Sequence, residues 1–488
     1  MEARGSSQTE MTTAQSVKTS LPSTKTPLLM LVASVSVLAT TIYVNTKLLN
    51  NVPILSSNSL GASTYNHSHL DWKMDTAAFE NSVATAIHPT SSFYRRGKTF
   101  DRSVSRERAV MVCLHDAMLN MGLSLLRELR CLGNQELIQV YHCGKELSDR
   151  SVELLFSLDN RVELVDVCSD LSYRGIISNE MASKFRSWWI KPLAMYHTDV
   201  RHVMLLDVDD VILKDPAVVR DLDGYKNTGT TFFYDRVITN KRFLTGNDTG
   251  ELYVRKLLHE FNYTRFNVSE GFAPSQHMLN TFAFNGKSIH EMDSSMVLID
   301  KQRAGKAVMD ILLWFITEER FRFTYSWGDK ETFWLAFEMA RVPYFFSPWG
   351  VSVVDSMPNE DLKNHPDTLC GSILQYLPVQ GTNETAEVLY MNGKALIDPY
   401  PQGIGFIRKA KQNNLFNTIP SHMTPQQKRR QINMEAYPDK KFNTECLVGM
   451  GAAPLPEHFS PQLLRRRLHF LGLAMGVLGT VNHCETYT

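Results

Sequence analysis

An α/β fold on a mostly parallel sheet, with helices on both faces, is what this sequence predicts. Three observations carry that expectation. Short apolar runs of strand length recur from residue 109 onward, stretches with apolar residues at helical spacing alternate with them, and the apolar run 202–206 stops at Asp207, Asp209 and Asp210. Strands alternating with helices imply right-handed crossovers and a sheet covered on both faces. Ligands of such a sheet bind beyond the carboxyl ends of its strands. Three acids at a strand end therefore mark the candidate site.

The elements follow in order. A first strand over 109–114 leads to a helix over 117–132, a second strand over 137–141 to a helix over 148–158, and a third strand lies at 162–167. A helix over 183–197 is interrupted near Pro192, because proline lacks a backbone donor. The fourth strand, 202–206, delivers the acids. Asp207 and Asp209 point to opposite sides of an extended backbone, but as the chain turns both can reach one hard divalent cation or its bound phosphates. A further strand is read at 230–234, then a polar loop, a strand at 296–299 entering a helix over 306–317, and a helix over 332–340 beginning beside Asp329 and Glu331. Beyond Pro348 the signals fade, and only 373–377 and 388–391 read as strands. The apolar run 468–481 after Arg465-Arg466-Arg467 is about fourteen residues long, short of the roughly 20 that span a bilayer, and reads as a docked helix.

Composition narrows the function. The 51 basic residues balance 51 acidic ones without a long basic run, which excludes nucleic acid as the expected partner. The apolar run 27–44, bracketed by Lys25 and Lys47, suits one membrane helix and starts too late for a cleaved signal peptide. Glycosylation triplets at Asn66, Asn247, Asn262, Asn267 and Asn383 all follow that run. They place the C-terminal part in the secretory lumen. The seven cysteines show no C-x-x-C spacing, so a zinc site is not expected. Cys113, Cys131, Cys143 and Cys168 fall in or beside apolar elements and are expected as buried free thiols. Cys370, Cys446 and Cys484 are the disulfide candidates.

Four blocks stand in a distinctive order: Trp188-Trp189-Ile190-Lys191-Pro192-Leu193-Ala194, the Asp207-Val208-Asp209 triplet, Asp293-Ser294-Ser295-Met296-Val297-Leu298-Ile299-Asp300-Lys301, and Gly328-Asp329-Lys330-Glu331-Thr332-Phe333-Trp334-Leu335-Ala336. Together they resemble the fungal α-mannosyltransferase family that includes the Golgi α-1,3-mannosyltransferases, glycosyltransferase family 71. The resemblance covers roughly residues 105–350. It implies a GT-A-like, Rossmann-type fold on a Golgi membrane protein, organised as a cytoplasmic tail (1–26), a transmembrane signal anchor (27–46), a luminal stem (47–105), a catalytic domain (106–350) and an irregular C-terminal part of the luminal domain (351–488). The implied reaction moves mannose from GDP-mannose to a mannose-containing glycan or glycoprotein, with retention and an α-linkage, α-1,3 in the family.

The resemblance also assigns residues. Asp209 is the expected ligand of Mn²⁺ or Mg²⁺, with Asp207 holding metal and ribose, while Asp210 departs from the small or amide residue usual there and is expected as a solvated neighbour. Lys191 either reaches the nucleotide or caps a helix. Asp293 and Ser294 lie in the block that approaches the donor. Asp329 and Glu331 are the catalytic candidates, since a carboxylate can hold hydroxyls or assist proton removal, although acids at a helix N-terminus are also favoured by its dipole alone. Related enzymes often supply a late histidine in a pattern resembling HxxGxxKP. The nearest stretch here is Tyr390-Met391-Asn392-Gly393, so either Asn392 substitutes or the third ligand lies elsewhere. Nothing in the residues reads guanine, which leaves a UDP-sugar donor open, and the missing histidine leaves open a silent lectin-like or scaffold protein. Of Trp188, Trp189, Trp314, Trp327, Trp334 and Trp349 most are expected in the core. Trp327 is the one candidate for a sugar-stacking platform.

Overall fold

The computed structural model describes residues 92–355, 364–379, 386–401, 414–427, 442 and 444–485. The expected tail, membrane helix 27–46 and most of the stem, with Asn66 and Asn383, lie outside the described residues.

Eight strands concern the first half of the fold: β1 (Tyr94–Arg96), β2 (Arg108–Cys113), β3 (Leu137–His142), β4 (Val162–Asp166), β5 (His202–Leu206), β6 (Asp210–Ile212), β7 (Thr230–Tyr234) and β8 (Met292–Asp300). All but β6 form one seven-stranded sheet in the order β1-β4-β3-β2-β5-β8-β7. Strands β2 to β5 pair in parallel. The other three pairings, β1 with β4 and β8 with β5 and β7, are antiparallel. The sheet is therefore mixed rather than mostly parallel. A sequence pattern fixes that a strand is buried on both faces, but not the direction in which a long loop such as 235–291 returns it. Residues alternate between two cores as the pleat requires: Ala109, Met111, Val203 and Leu205 face one, and Val110, Val112, Met204 and Leu206 face the other.

Six helices matter below: α1 (Leu119–Cys131), α2 (Asp149–Leu158), α3 (Ile190–His197), α4 (Lys301–Trp314), α5 (Thr332–Ala340) and α6 (Phe459–Ala474). Ser148 caps α2 by accepting from the Ser151 amide. Pro192 does not interrupt a helix. It sits in the first turn of α3, where a missing amide costs no intrahelical bond, and the break falls earlier, at Ser187, whose φ is 54°. Helix α4 starts at Lys301, because Asp300 accepts from the Gln302 and Arg303 amides.

The segment after residue 351 is less irregular than its composition suggests. It contributes β9 (Ser352–Asp355), β10 (Leu369–Tyr376), β11 (Val388–Asn392), β12 (His422–Met423) and β13 (Ala453–Pro454) to an antiparallel sheet ordered β13-β12-β9-β10-β11-β6. The apolar tail is a docked helix, as expected, but α6 begins nine residues earlier than 468 and packs on α1. Arg465, Arg466 and Arg467 thus lie inside the helix and are buried. Among the described residues no helix is long and apolar enough to cross a membrane.

Three disulfides join Cys131 to Cys484, Cys143 to Cys168 and Cys370 to Cys446. Cys370, Cys446 and Cys484 are paired as expected, whereas Cys131, Cys143 and Cys168 are not free thiols. Burial alone does not separate a thiol from a disulfide. Cys143 and Cys168 follow neighbouring parallel strands, β3 and β4, and topology brings them together. Cys113 is free.

Candidate active site

The acidic turn is the point at which the chain leaves one sheet for the other. Strand β5 ends at Leu206, and the Asp207 amide still donates to the Ser295 carbonyl at 2.8 Å. The Asp210 amide then donates back to the Asp207 carbonyl at 3.1 Å, and β6 starts in the second sheet. A carboxylate oxygen of Asp210 accepts from the Asp207 amide at 3.2 Å. Asp210 is thus a fully buried brace, not the solvated neighbour expected. Burial, reinforced by Asp207 and Asp209, pushes its pKa well above the usual carboxylate range, against the Asn392 amide.

Lys191 projects from the first turn of α3 and is 4% exposed. Its ammonium meets Asp207 Oδ1 at 2.7 Å and Asp329 Oδ2 at 3.3 Å, and donates to the Ser294 carbonyl at 3.1 Å. Despite burial, the two carboxylates hold it protonated far above its ordinary range. It is not a capping lysine. The Asp207 side chain keeps 27% of its surface exposed, so it reaches solvent rather than lying in a sealed core. Burial among acids still raises it to about 7, with Lys191 opposing and Asp209 and Asp329 adding. Asp209 is also partly exposed.

Asn392 ends β11 directly opposite Asp210 in the pairing register. Its amide nitrogen lies 3.1 Å from Asp209 Oδ1 and 3.0 Å from Asp210 Oδ1. The stretch that lacks the histidine thus reaches the acidic turn, with an amide in its place. Among the described residues no group of three or more His, Cys, Asp or Glu side chains is arranged to hold a metal ion. Two partly exposed carboxylates on one turn nonetheless fit a hard cation that takes its remaining oxygens from phosphate and water.

Lys191, Asp207, Asp209, Ser294 and Asp329 are therefore brought together. Asp293 and Glu331 are set back from them. Asp293 is buried and accepts from Ser295, Tyr390 and Gln375 side chains, tying the two sheets together. Glu331 is fully buried and accepts from the Glu291 and Met292 amides and from Trp334 Nε1 at 2.6 Å. Burial raises its carboxyl to about 8 against those donors. It anchors the start of β8 to α5, and its spacing from Asp329 places it on the inward side of the turn.

Sequence reasoning missed two supports. Asp235, one residue past β7, is buried and ion-paired with Lys330; against the penalty of burial, Lys330, His290 and Arg236 hold its carboxyl well below the usual range. Arg466, from α6, donates to the Val208 carbonyl at 2.8 Å and so grips the middle of the acidic turn from behind. Lys330 lay in a block already singled out, and a partner for it was a fair question. Nothing local pointed from Arg466 to a turn 258 residues away.

A two-sheet α/β scaffold thus carries its acidic turn at the carboxyl end of β5, the edge at which α/β sheets bind ligands. The chain belongs to the mannosyltransferase family described as "Mannosyltransferase putative", whose profile matches residues 109–376. It is 24% identical over 357 residues to "Probable alpha-1,3-mannosyltransferase MNT4" of Saccharomyces cerevisiae, covering 70% of this chain and 56% of that protein. It is also 24% identical over 306 residues to "Alpha-1,3-mannosyltransferase MNT2" of the same organism, covering 59% and 52%. The chain spans about half the length of these curated relatives. Among solved structures, core-mannan synthase A from Aspergillus fumigatus in its Mn/GDP form is similar at 15% identity and TM-score 0.32, over 57% of this chain and 77% of that one. The mannosyltransferase Ktr4p from S. cerevisiae is similar at 12% identity and TM-score 0.33, over 50% and 69%.

Proposed function

We propose that the chain is a metal-dependent, GT-A-like glycosyltransferase that moves mannose from GDP-mannose to a mannose-containing glycan or glycoprotein, forming an α-linkage, α-1,3, with retention. The observation that carries this reading is the acidic turn in a member of a mannosyltransferase family, with Asp207 held by a buried lysine and Asp209 left partly exposed. Asp207 and Asp209 are the residues that would hold Mn²⁺ or Mg²⁺. Such a cation, when bound, supplies Lewis-acid stabilisation of the negative charge that develops on a leaving diphosphate.

The chain's own residues do the rest. Lys191 fixes Asp207 and Asp329 relative to each other, and Asn392 and Asp210 fix the turn. Asp329 Oδ2 is buried and ion-paired with the Lys191 ammonium at 3.3 Å. The role proposed for Asp329 is to orient Lys191, and through it Asp207, at the site. Glu331 acts by holding the Asp329 segment, and Ser294 by holding Lys191.

The proposed location is the Golgi membrane, with a single helix at 27–46 and the catalytic part luminal. Three disulfides are typical of an oxidising compartment, and Asn247, Asn262 and Asn267 are all exposed as acceptors of glycan must be. The test is a donor screen with the full chain, comparing GDP-mannose with UDP-glucose and UDP-galactose, each with Mn²⁺ and with EDTA. Mannose transfer with GDP release, abolished by EDTA, is expected. Turnover of a UDP-sugar instead would replace the donor, and binding of nucleotide with no turnover of any donor would favour a silent scaffold.

A further inference from the structure

Beside the site lies an aromatic surface that the acidic turn does not explain. Trp334 and Trp349 are buried, as large aromatics usually are, but Trp188 is 53% exposed and Trp327 is 52% exposed. The expectation that Trp188 is a core residue is thereby corrected. Both exposed indoles flank the ion pair at the site. Trp188 precedes Lys191 by three residues, Trp327 precedes Asp329 by two, and Lys191 and Asp329 are 3.3 Å apart. The Trp188 ring lies directly on Gly328, where a Cβ would stand 3.2 Å from its Cε3 and 3.3 Å from its Cδ2. Phe243 extends the surface, its ring centroid 6.1 Å from that of Trp327.

The backbone beneath all three rings is unusual. Ser187 has φ 54°, Phe243 has φ 50° and Gly328 has φ 73°. Left-handed backbone is ordinary for glycine, but for a serine and above all a phenylalanine it is disfavoured and persists only where the surroundings enforce it. Here, three segments distant in sequence each use such a residue at one spot, and each presents an aromatic ring there. A packing accident would bury these rings. Instead two of them stay half in solvent, next to the residues of the Lys191–Asp329 pair.

We propose that Trp188 and Trp327, backed by Phe243, form the acceptor subsite, stacking a pyranose ring of the acceptor glycan so that its hydroxyl meets the donor sugar near Asp329. This rests on the glycosyltransferase reading above and deepens it. A hexopyranose presents a C–H face that suits an indole and a hydroxyl edge that suits a neighbouring carboxylate. The exposed indoles offer the first, and the partly exposed Asp207 carboxylate, on the other side of Lys191, offers the second. The two or three rings are too small a patch for a protein partner, which needs roughly 800 Å² a side, whereas one or two sugar units fit it.

The test compares the full chain with Trp188→Ala, Trp327→Ala and Trp327→Phe. Calorimetric titration with α-mannobiose reads the subsite without any donor, and initial rates read KM for acceptor and donor separately. Mannobiose affinity is expected to fall, and acceptor KM to rise, roughly tenfold in each alanine variant, with donor KM and the thermal shift caused by GDP and Mn²⁺ unchanged and with Trp327→Phe close to wild type. The retained shift shows that each variant is folded; should Trp188→Ala lose it, Trp327→Ala decides. The proposal is overturned if mannobiose does not bind the wild type, if its affinity and the acceptor KM stay within twofold in Trp327→Ala, or if the donor KM rises instead. Failure of the donor screen with mannobiose binding that depends on Trp327 would remove the mannosyl reading and leave the sugar subsite standing.

Discussion

At the scale of single residues, one buried lysine between two carboxylates organises the site. A buried ion pair contributes little net stability over an apolar alternative, but removing one partner leaves uncompensated charge and costs about 3–5 kcal/mol. Lys191→Met should therefore unfold at lower urea concentration by roughly that amount, and it should lose transfer. Adding Asp329→Asn should recover part of the stability and none of the activity, because the stranded charge goes but the site remains dismantled. A Lys191→Met variant with unchanged stability would show that Asp329 does not depend on the lysine. These groups were legible because they stand in dense, ordered blocks. Asp210 was legible as an acid but not as a brace, since nothing local says that β6 joins a second sheet and carries it inward. Trp188 and Trp189 look alike in sequence; only the left-handed Ser187 turns the first of them out.

At the scale of elements, α6 shows how a remote helix supports the site. Arg465 ion-pairs with Glu128 of α1, Arg466 reaches Ser124 and the Val208 carbonyl, and Arg467 donates to the carbonyls of Leu396, Leu415 and Thr418. His469 is buried in the same interface, 2.7 Å from the His483 carbonyl and 4.0 Å from Glu128, with Arg465, Arg466 and Arg127 close by. Burial, helped by those three guanidinium groups and opposed by the His483 carbonyl, lowers its pKa from 6.5 to about 4. The neutral form is thus the one the fold accepts. A depressed folded pKa gives stability that is present above the unfolded value and is lost as pH falls toward the folded one. Between pH 7 and pH 5 this group should cost about 2 kcal/mol. His469→Gln, whose amide can still donate to the carbonyl, should lose that much less across the same interval in urea titrations. Equal pH slopes for the two proteins would mean that His469 already carries its proton in the fold. A run of three arginines before an apolar stretch reads as a polar flank, so the helix start was misplaced. The guanidiniums are buried only because carboxylate and carbonyl partners arrive from elsewhere in the chain.

At the scale of the whole molecule, the alternation of apolar strands and helices was enough to place β2 to β5 and to put the acidic turn at the ligand-binding edge. What it could not supply was direction and pairing: β8 runs antiparallel, the second sheet takes β6 from the first half and six strands from the C-terminal part, one of them the short Cys446–Leu447 strand beside β10, and three disulfides join positions 25 to 353 residues apart. Those are long-range facts, and a single sequence carries only local pattern. They also explain how a turn so poor in apolar residues is held, by β5 and β8 on one side, β11 on another and Arg466 from behind. These contacts hold Asp209 where, on the proposed reading, a cation shared with a diphosphate would bind. Asp209→Asn tests that most directly, because the amide keeps the shape and removes the charge. The full-length variant should melt close to wild type in the absence of ligand, lose mannose transfer from GDP-mannose by at least about a hundredfold, equivalent to roughly 2.7 kcal/mol of transition-state stabilisation, and show no thermal shift with GDP and Mn²⁺. Wild-type turnover by Asp209→Asn in the presence of Mn²⁺ would contradict the account.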